Sequence, residues 1–286
     1  MMNFYLITTK ALADRIWFRD TEDFRVAMNY VAVVAFTTGV NVLAFILMSN
    51  HVHFVVECDS AKAKEFIDRF KMLYGAWLHK KYGSVEFLRR VGVDIRPVRP
   101  ENESLLRAIA YVQMNSVAAN ICPYPNIYGW GTGAAFFNPE NTRGYKLGTL
   151  SKRAQFELTH SRTILPAAYL VGDEGYILPQ SYVPVKFVEG LFWSAKRYRL
   201  FLNNSSKAGK HMEKSPAPSF EDHVLIAACR NLVFSLFREK SLEDLSDSQT
   251  GELLRQMGRR FSTDLNQLCR VTGIPYEKAS KLMDVF

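Results

Sequence analysis

The sequence predicts an α+β protein that opens in the order β-α-β-β-α-β, and three observations carry that reading. Val42 to Met48 is a nearly unbroken apolar run of β-formers. Phe54 to Val56 resumes it, and the polar Ser49-Asn50 between them marks a tight turn. Helical periodicity flanks this hairpin on both sides, with Phe24, Ala27, Tyr30, Val31 and Val34 before it and Phe66, Phe70, Leu73 and Trp77 after it. Phe4 to Thr8 and Gly92 to Val98 read as short strands at either end. This order is the split βαβ, or ferredoxin-like, arrangement, a palm built on an antiparallel sheet.

Each element has a local reason. Asp20-Thr-Glu-Asp23 supplies a helix start, and Gly39 stands where that helix should stop. Ala61 to Lys81 is a second long helix. Leu105 to Asn120 holds good helix formers and no Gly or Pro, so it predicts one continuous helix. Residues 139–219 are broken by Gly144, Gly148, Gly172, Gly175, Gly190 and several prolines, with a helix at Phe187 to Leu202 and a linker-like Asn203 to Ser219. From Phe220 the chain turns helical again. The expected division is 1–138 for the palm, 139–219 for a partly ordered connector, and 220–286 for a helical C-terminal module.

Bulk composition fits a soluble globular protein, at 48% hydrophobic and 22% charged residues. A net charge of +8 makes an anionic partner a natural expectation without naming it. Cys58, Cys122, Cys229 and Cys269 are scattered, which argues for a reducing compartment and against a zinc knuckle or disulfide framework. With no signal pattern and no apolar run of membrane-spanning length, the expected place is the cytoplasm, with no membrane partner.

Chemistry concentrates at Asn50-His-Val-His53. On a strand, the period of two points His51 and His53 to one face, where two imidazoles can converge on one cation. Such a pair is more often structural, so it needs a partner. Tyr111 and Asn115 are four apart and share one helix face, where a phenol and an amide stand side by side.

At these residues the sequence resembles the HUH-superfamily single-tyrosine transposases, in particular their REP-associated branch. The resemblance is carried by Asn50-His-Val-His53, by Tyr111-Val-Gln-Met-Asn115, and by the following Tyr128-Gly-Trp130. Phe4-Tyr-Leu-Ile-Thr-Thr9 and Gly39-Val-Asn-Val-Leu-Ala44 are also similar, and the likeness spans roughly residues 3 to 137. Histidines first and a single helical tyrosine second is the order of that family. Two departures stand out: Ser49 replaces a frequent Pro, and Gln113 and Ser116 stand where Tyr-Ile-His-Leu-Asn-Pro has His and Pro.

The resemblance implies a metal-dependent transposase acting on single-stranded or hairpin DNA. His51 and His53, with Asn115 as third ligand, would hold Mg²⁺ or Mn²⁺. Tyr111 would attack phosphorus and leave a 5′-phosphotyrosyl link with a free 3′-hydroxyl. A non-catalytic hairpin-DNA or RNA-binding protein on the same fold is the alternative, as is a hydrolase that uses water and leaves Tyr111 dispensable. Association with the nucleoid is implied, and both a monomer and a homodimer remain open.

Positive charge is uneven. Residues 60–99 hold ten Lys/Arg against four Asp/Glu, with Tyr74, Trp77 and Tyr82 interleaved. Cations for phosphates and aromatics for unpaired bases suit a single-strand groove, and Lys71, Tyr74, Lys80, Lys81, Arg89, Arg90, Arg96 and Arg99 are its candidates. The competing reading is core aromatics beneath a solvated helix face. Thr263 to Leu282 resembles a helix-turn-helix, with Gly273 at the turn, Pro275 opening the second helix, and Lys278 and Lys281 on its surface. His79, His160, His211 and His223 have no comparable companions, and no Walker-type loop is present.

Overall fold

Four strands, β1 (Phe4–Thr9), β2 (Asn41–Met48), β3 (His51–Glu57) and β4 (Val93–Val98), form one antiparallel sheet in the order β2-β3-β1-β4. The computed structural model describes residues 3–10, 16–83, 87–138, 143–206, 220–239 and 241–284. Helices α1 (Thr21–Thr38) and α2 (Ser60–Tyr82) complete the expected β-α-β-β-α-β order, with the four-residue α3 (Phe87–Arg90) before β4.

The predicted helix signals operate. The Asp20 carboxylate accepts the Asp23 N–H at 2.9 Å and so caps α1, and Gly39 ends it in the left-handed region at φ 64°. Asp59 caps α2 through the Lys62 N–H at 2.8 Å.

Strand alternation splits the sheet into two faces. Val52, Phe54 and Val56 point to the side covered by α1 and α2, where they meet Phe66, Phe70 and Tyr74 in one fully buried core. Phe54 packs edge-on against both Phe66 and Phe70, at ring distances of 5.1 and 5.6 Å. Each such aromatic contributes about 2 kcal/mol relative to an exposed position. His51, His53 and Val55 point to the other side, together with their cross-strand neighbours Thr8, Leu6 and Arg96. That second face is covered by α4 (Ser104–Gln113) through Leu105, Leu106, Ile109 and Val112.

One expectation fails here. The helix read as continuous from Leu105 to Asn120 stops at Gln113 and resumes as the single turn α5 (Asn115–Ala118), with Met114 between them at ψ 3°. Asn115 is the cause. Its side-chain amide donates to the Tyr111 and Val112 carbonyls at 2.9 and 3.2 Å, a local bond that competes with the helical ladder.

Gln113, one of the family departures, is fully buried and donates to the Thr132 hydroxyl at 2.7 Å; that hydroxyl also accepts the Phe45 N–H at 2.9 Å. The residue thus ties α4 to β2. Beside it the chain crosses Ile46 at Gly131, where a Cβ would lie 2.6 Å from the Phe45 carbonyl oxygen.

Described residues of the connector pack on both sides of the palm. A two-stranded ribbon, β5 (Tyr145–Lys146) with β6 (Leu170–Val171), and α6 (Lys152–Thr159) lie against the outer side of α1. The buried Asn29 amide locks them by accepting the Ile177 N–H at 2.9 Å and donating to the Leu158 carbonyl at 3.0 Å. Helices α7 (Val185–Phe192) and α8 (Ala195–Asn203) pack on α4 through Val188, Phe192, Tyr198 and Leu202. The linker read at Asn203–Ser219 falls outside the described residues from position 207 onward.

The C-terminal helices α9 (Asp222–Leu232), α10 (Asp247–Phe261), α11 (Leu265–Thr272) and α12 (Tyr276–Asp284) have a core of their own, from Leu225 to Ala279. Gly273 at φ 72° closes α11, and Ile274 and Pro275 lead into α12. No helix among the described residues is long and apolar enough to cross a membrane.

Candidate active site

The histidine hairpin is shaped by β2 and β3 meeting at Ser49-Asn50, which sets His51 and His53 two apart on the α4 face. Their rings lie 4.7 Å apart and nearly perpendicular. The Tyr111 ring on α4 stands edge-on to His53 at 5.6 Å. Residues 58 positions apart are therefore neighbours, and the structure brings the three rings into one row.

Second contacts orient the imidazoles. His51 Nδ1 lies 2.7 Å from the Asn50 amide oxygen. An amide oxygen only accepts, so in the neutral ring Nδ1 carries the proton and Nε2 the lone pair. His53 is 2% exposed, and its Nδ1 lies 3.0 Å from the Thr8 hydroxyl. Buried Asn115 spends its amide nitrogen on the Tyr111 and Val112 carbonyls, which leaves its oxygen as the donor atom. Two imidazole nitrogens and an amide oxygen suit a divalent cation in kind, as Mn²⁺ tolerates mixed nitrogen and oxygen ligands. Among the described residues there is no group of three or more His, Cys, Asp or Glu that could hold a metal ion.

Half-buried Tyr111 has its phenol pKa pushed up by burial, an effect that the positive charge of Arg96 partly offsets. Arg96 projects from β4 on the same sheet face and is ion-paired with Asp94.

Of the groove candidates read over residues 60–99, Arg96 lies on the Tyr111 face of the sheet, while those on α2 do not. Helix α2 lies on the opposite face of the sheet from Tyr111. Tyr74 is fully buried, donates its hydroxyl to the Trp17 carbonyl at 2.6 Å and stacks on Phe70, so no base can reach it. Lys81 is captured by Asp20, Glu22 and Asp23 at 2.7, 2.8 and 3.0 Å. The Tyr82 hydroxyl and the Trp77 indole donate into the same carboxylates. Lys71 donates to the Val91 carbonyl at 2.8 Å, and burial lowers its pKa. Lys80, Arg90 and Arg99 are exposed, and the Arg89 side chain lies outside the described residues. On α12, Lys281 is exposed and Lys278 pairs with Asp247 at 2.8 Å across the module's surface.

Arg96 aside, two cations not among the candidates read from the sequence line the same cavity as Tyr111. Arg107, one turn before it on α4, and Arg197 on α8 both reach Glu103, at 3.4 and 2.7 Å. Spacing of four from Tyr111 marks Arg107 in the sequence. Arg197 is legible in the sequence as one of the basic residues, with Lys196 and Arg199, near the end of the helix read over Phe187 to Leu202. Its place beside Tyr111 comes only through the docking of α8 on α4.

Comparisons with known proteins bear on this arrangement. No curated protein matches the chain. A solved structure described as that of a REP-associated tyrosine transposase bound to a REP hairpin is similar at 12% identity, covering 46% of this chain and 78% of that one, with a TM-score of 0.36. A family model described as IS200-like transposase matches residues 14–90, the segment that contains α1, the histidine hairpin and α2. Through that segment, this chain is similar to the IS200-like transposases.

Proposed function

We propose that this protein is a single-strand DNA transposase that nicks and rejoins DNA through a covalent Tyr111 intermediate. The observation that carries the proposal is the row His51, His53, Tyr111 on one sheet face, with ring separations of 4.7 and 5.6 Å. A structural histidine pair has no need of a phenol set against it. The match of residues 14–90 to IS200-like transposases supports the same reading.

In the first step the Tyr111 oxygen forms a bond to phosphorus, the P–O3′ bond breaks, and the leaving oxygen takes a proton to become a free 3′-hydroxyl. Burial raises the Tyr111 pKa, so the phenol proton leaves as the new bond forms, passing to solvent while the leaving O3′ takes one up, and Arg96 favours the developing phenolate. Asn50 and Thr8 hold the two imidazoles in place, while Asn115 braces the helix end beneath the tyrosine. Mg²⁺ or Mn²⁺ held by His51, His53 and Asn115 would polarise the scissile phosphate. Because the phosphodiester bond is exchanged rather than hydrolysed, a second strand's 3′-hydroxyl can reverse the step without ATP.

The partner in this reading is single-stranded or hairpin DNA. Helices α9–α12 serve as a separate recognition module of helix-turn-helix type, with Lys278 and Lys281 on its second helix and the chemistry confined to the palm. The test is to incubate the protein with hairpin DNA and Mn²⁺ and to look for an adduct on a denaturing gel. Tyr111→Phe should abolish it, as should His51→Ala with His53→Ala, while the exposed His79→Ala should not. An adduct that survives Tyr111→Phe would overturn the assignment of the nucleophile. Hairpin binding with no adduct under any condition would favour the non-catalytic alternative.

A further inference from the structure

Beside Tyr111 lies a cavity of about 480 Å³ between α4 and α8, walled by Glu103, Arg107, Arg197 and Phe201. We infer that this cavity is a subsite for the single-stranded DNA flanking the scissile phosphate, with Arg107 and Arg197 taking backbone phosphate and Trp193 and Phe201 taking unpaired bases. The inference deepens the proposed function and rests on Tyr111 as the group that attacks the strand.

Three features support it. First, the cations are held ready. Glu103 accepts from Arg197 through one carboxylate oxygen at 2.7 Å and from Arg107 through the other at 3.4 Å. Each guanidinium has five N–H donors, and these contacts occupy one on each. One carboxylate between two cations leaves the cavity wall positive, and Arg96 adds to this from the sheet side of Tyr111.

Second, cations and rings alternate. Arg197 stacks over Trp193 at 4.2 Å and over Phe201 at 5.6 Å, and Arg107 lies over Phe201 at 6.0 Å. Planar surfaces interleaved with guanidinium groups are what successive unpaired bases and their phosphates require, and such stacking tolerates any base.

Third, Trp193 is displayed at a conformational cost. The largest side chain in the protein's alphabet is 82% exposed here, at φ 61° in the left-handed region that non-glycine residues rarely adopt. Its N–H closes α7 onto the Glu189 and Gly190 carbonyls, and Ser194 directly after it caps α8 through the Arg197 N–H. The strained turn thus fixes an aromatic face outward next to the cations, a combination that core packing does not explain.

The test uses the full chain carrying Tyr111→Phe, so that binding is read without chemistry, and a fluorescein-labelled oligothymidylate followed by anisotropy. Arg107→Gln and Trp193→Ala change exposed side chains and should each weaken binding about five- to tenfold. Arg107→Gln should also flatten the salt dependence by about 0.7, one phosphate contact. On an abasic oligonucleotide the Trp193→Ala effect should vanish and the Arg107→Gln effect remain. Lys64→Gln, on the opposite face of the sheet, should bind as the parent does. Arg197→Gln breaks the Glu103 pair, so its melting temperature is read alongside its affinity. Unchanged affinity in both Arg107→Gln and Trp193→Ala overturns the subsite, even where the wild type forms its adduct. Weakened binding with no adduct from the wild type sinks the strand-transfer reading and leaves a strand-binding site. A parent protein that binds no oligothymidylate defeats both.

Discussion

The Ser49 hydroxyl donates to the Asp222 carboxylate at 2.7 Å, joining the turn of the histidine hairpin to the first residue of α9, 173 positions away. Asp222 is almost fully buried and also pairs with Arg270 on α11 at 3.0 Å and accepts from Gln267 at 3.0 Å. The Ser49 carbonyl is held from the other side by the Trp17 and Phe18 N–H groups at 2.7 and 3.1 Å. A proline at position 49, frequent in the family this chain resembles, would offer no hydroxyl to this contact. The turn that sets His51 is thereby pinned to the C-terminal helices.

From that contact follows the first prediction. Ser49→Ala should lower stability by about 1.5–3 kcal/mol, the usual worth of a hydrogen bond to a charged group, and Asp222→Ala by more, since Arg270 is left without its carboxylate. Chemical denaturation of both variants checks this. A chain ending near Ser219 loses the Asp222 bond to Ser49 and the His223 ring from Phe24. It should still fold, because among the described residues no apolar side chain beyond Leu202 belongs to the palm cores and the C-terminal core lies within 225–283. It should lose target preference while keeping the Tyr111 adduct, and failure to fold would make the helices part of the palm.

Thr8 touches no substrate in the proposed mechanism but lies 3.0 Å from His53 Nδ1. Thr8→Val keeps the shape and removes the hydroxyl. Partners of this kind tune metal affinity by about 10- to 100-fold. The Mn²⁺ concentration giving half-maximal adduct should rise accordingly, with the maximal adduct yield little changed. An unshifted Mn²⁺ requirement would mean that Thr8 does not orient a ligand.

The Lys81 cluster makes a pH prediction. Burial alone would raise the Asp20 pKa, but hydrogen bonds from Lys81, the Asp23 N–H and Tyr82 outweigh it and hold the carboxyl below its ordinary value of 3.8. A lowered folded pKa contributes stability that is complete above the ordinary value and is lost as pH falls through the lower one. Lys81 is shifted the other way, upward, so its share persists through neutral pH and is lost only in strong alkali. Melting temperature should therefore fall below about pH 4, and Asp20→Asn should flatten that part of the profile. Lys81→Met should cost about 2 kcal/mol at neutral pH, because it strips the buried Asp23 of its cation.

Gln113 stands where the family pattern has histidine, and its buried amide ties α4 to Thr132. Gln113→Leu leaves the shape and removes the donor, at a cost of about 1–2 kcal/mol. Adduct formation per folded molecule should be unchanged, as read by quantifying adduct against the soluble folded fraction. A selective loss of chemistry would give Gln113 a role at the site.

Much of the site was legible in the sequence because its rules are local. Strand alternation alone places His51 and His53 on one face, helical spacing places Asn115 one turn from Tyr111, and Asp20, Gly39 and Gly273 mark helix ends through their own backbone and side-chain chemistry. The break at Met114 was local too, yet hidden, because the Asn115 amide competes with a ladder that helix propensity favours. What the tertiary structure decided was which charges and rings remain available. Tyr74 and Lys81 sit in a basic, aromatic stretch that reads as a nucleic-acid groove, and packing turns one into core and the other into a triple ion pair on the far face of the sheet. Arg197 comes from a stretch read as a helix with no link to the site, and it reaches the cavity beside Tyr111 only because α8 docks on α4. Periodicity is set by a residue's immediate neighbours, whereas burial and charge pairing depend on contacts made by segments far apart in the chain, and only the folded chain settles those.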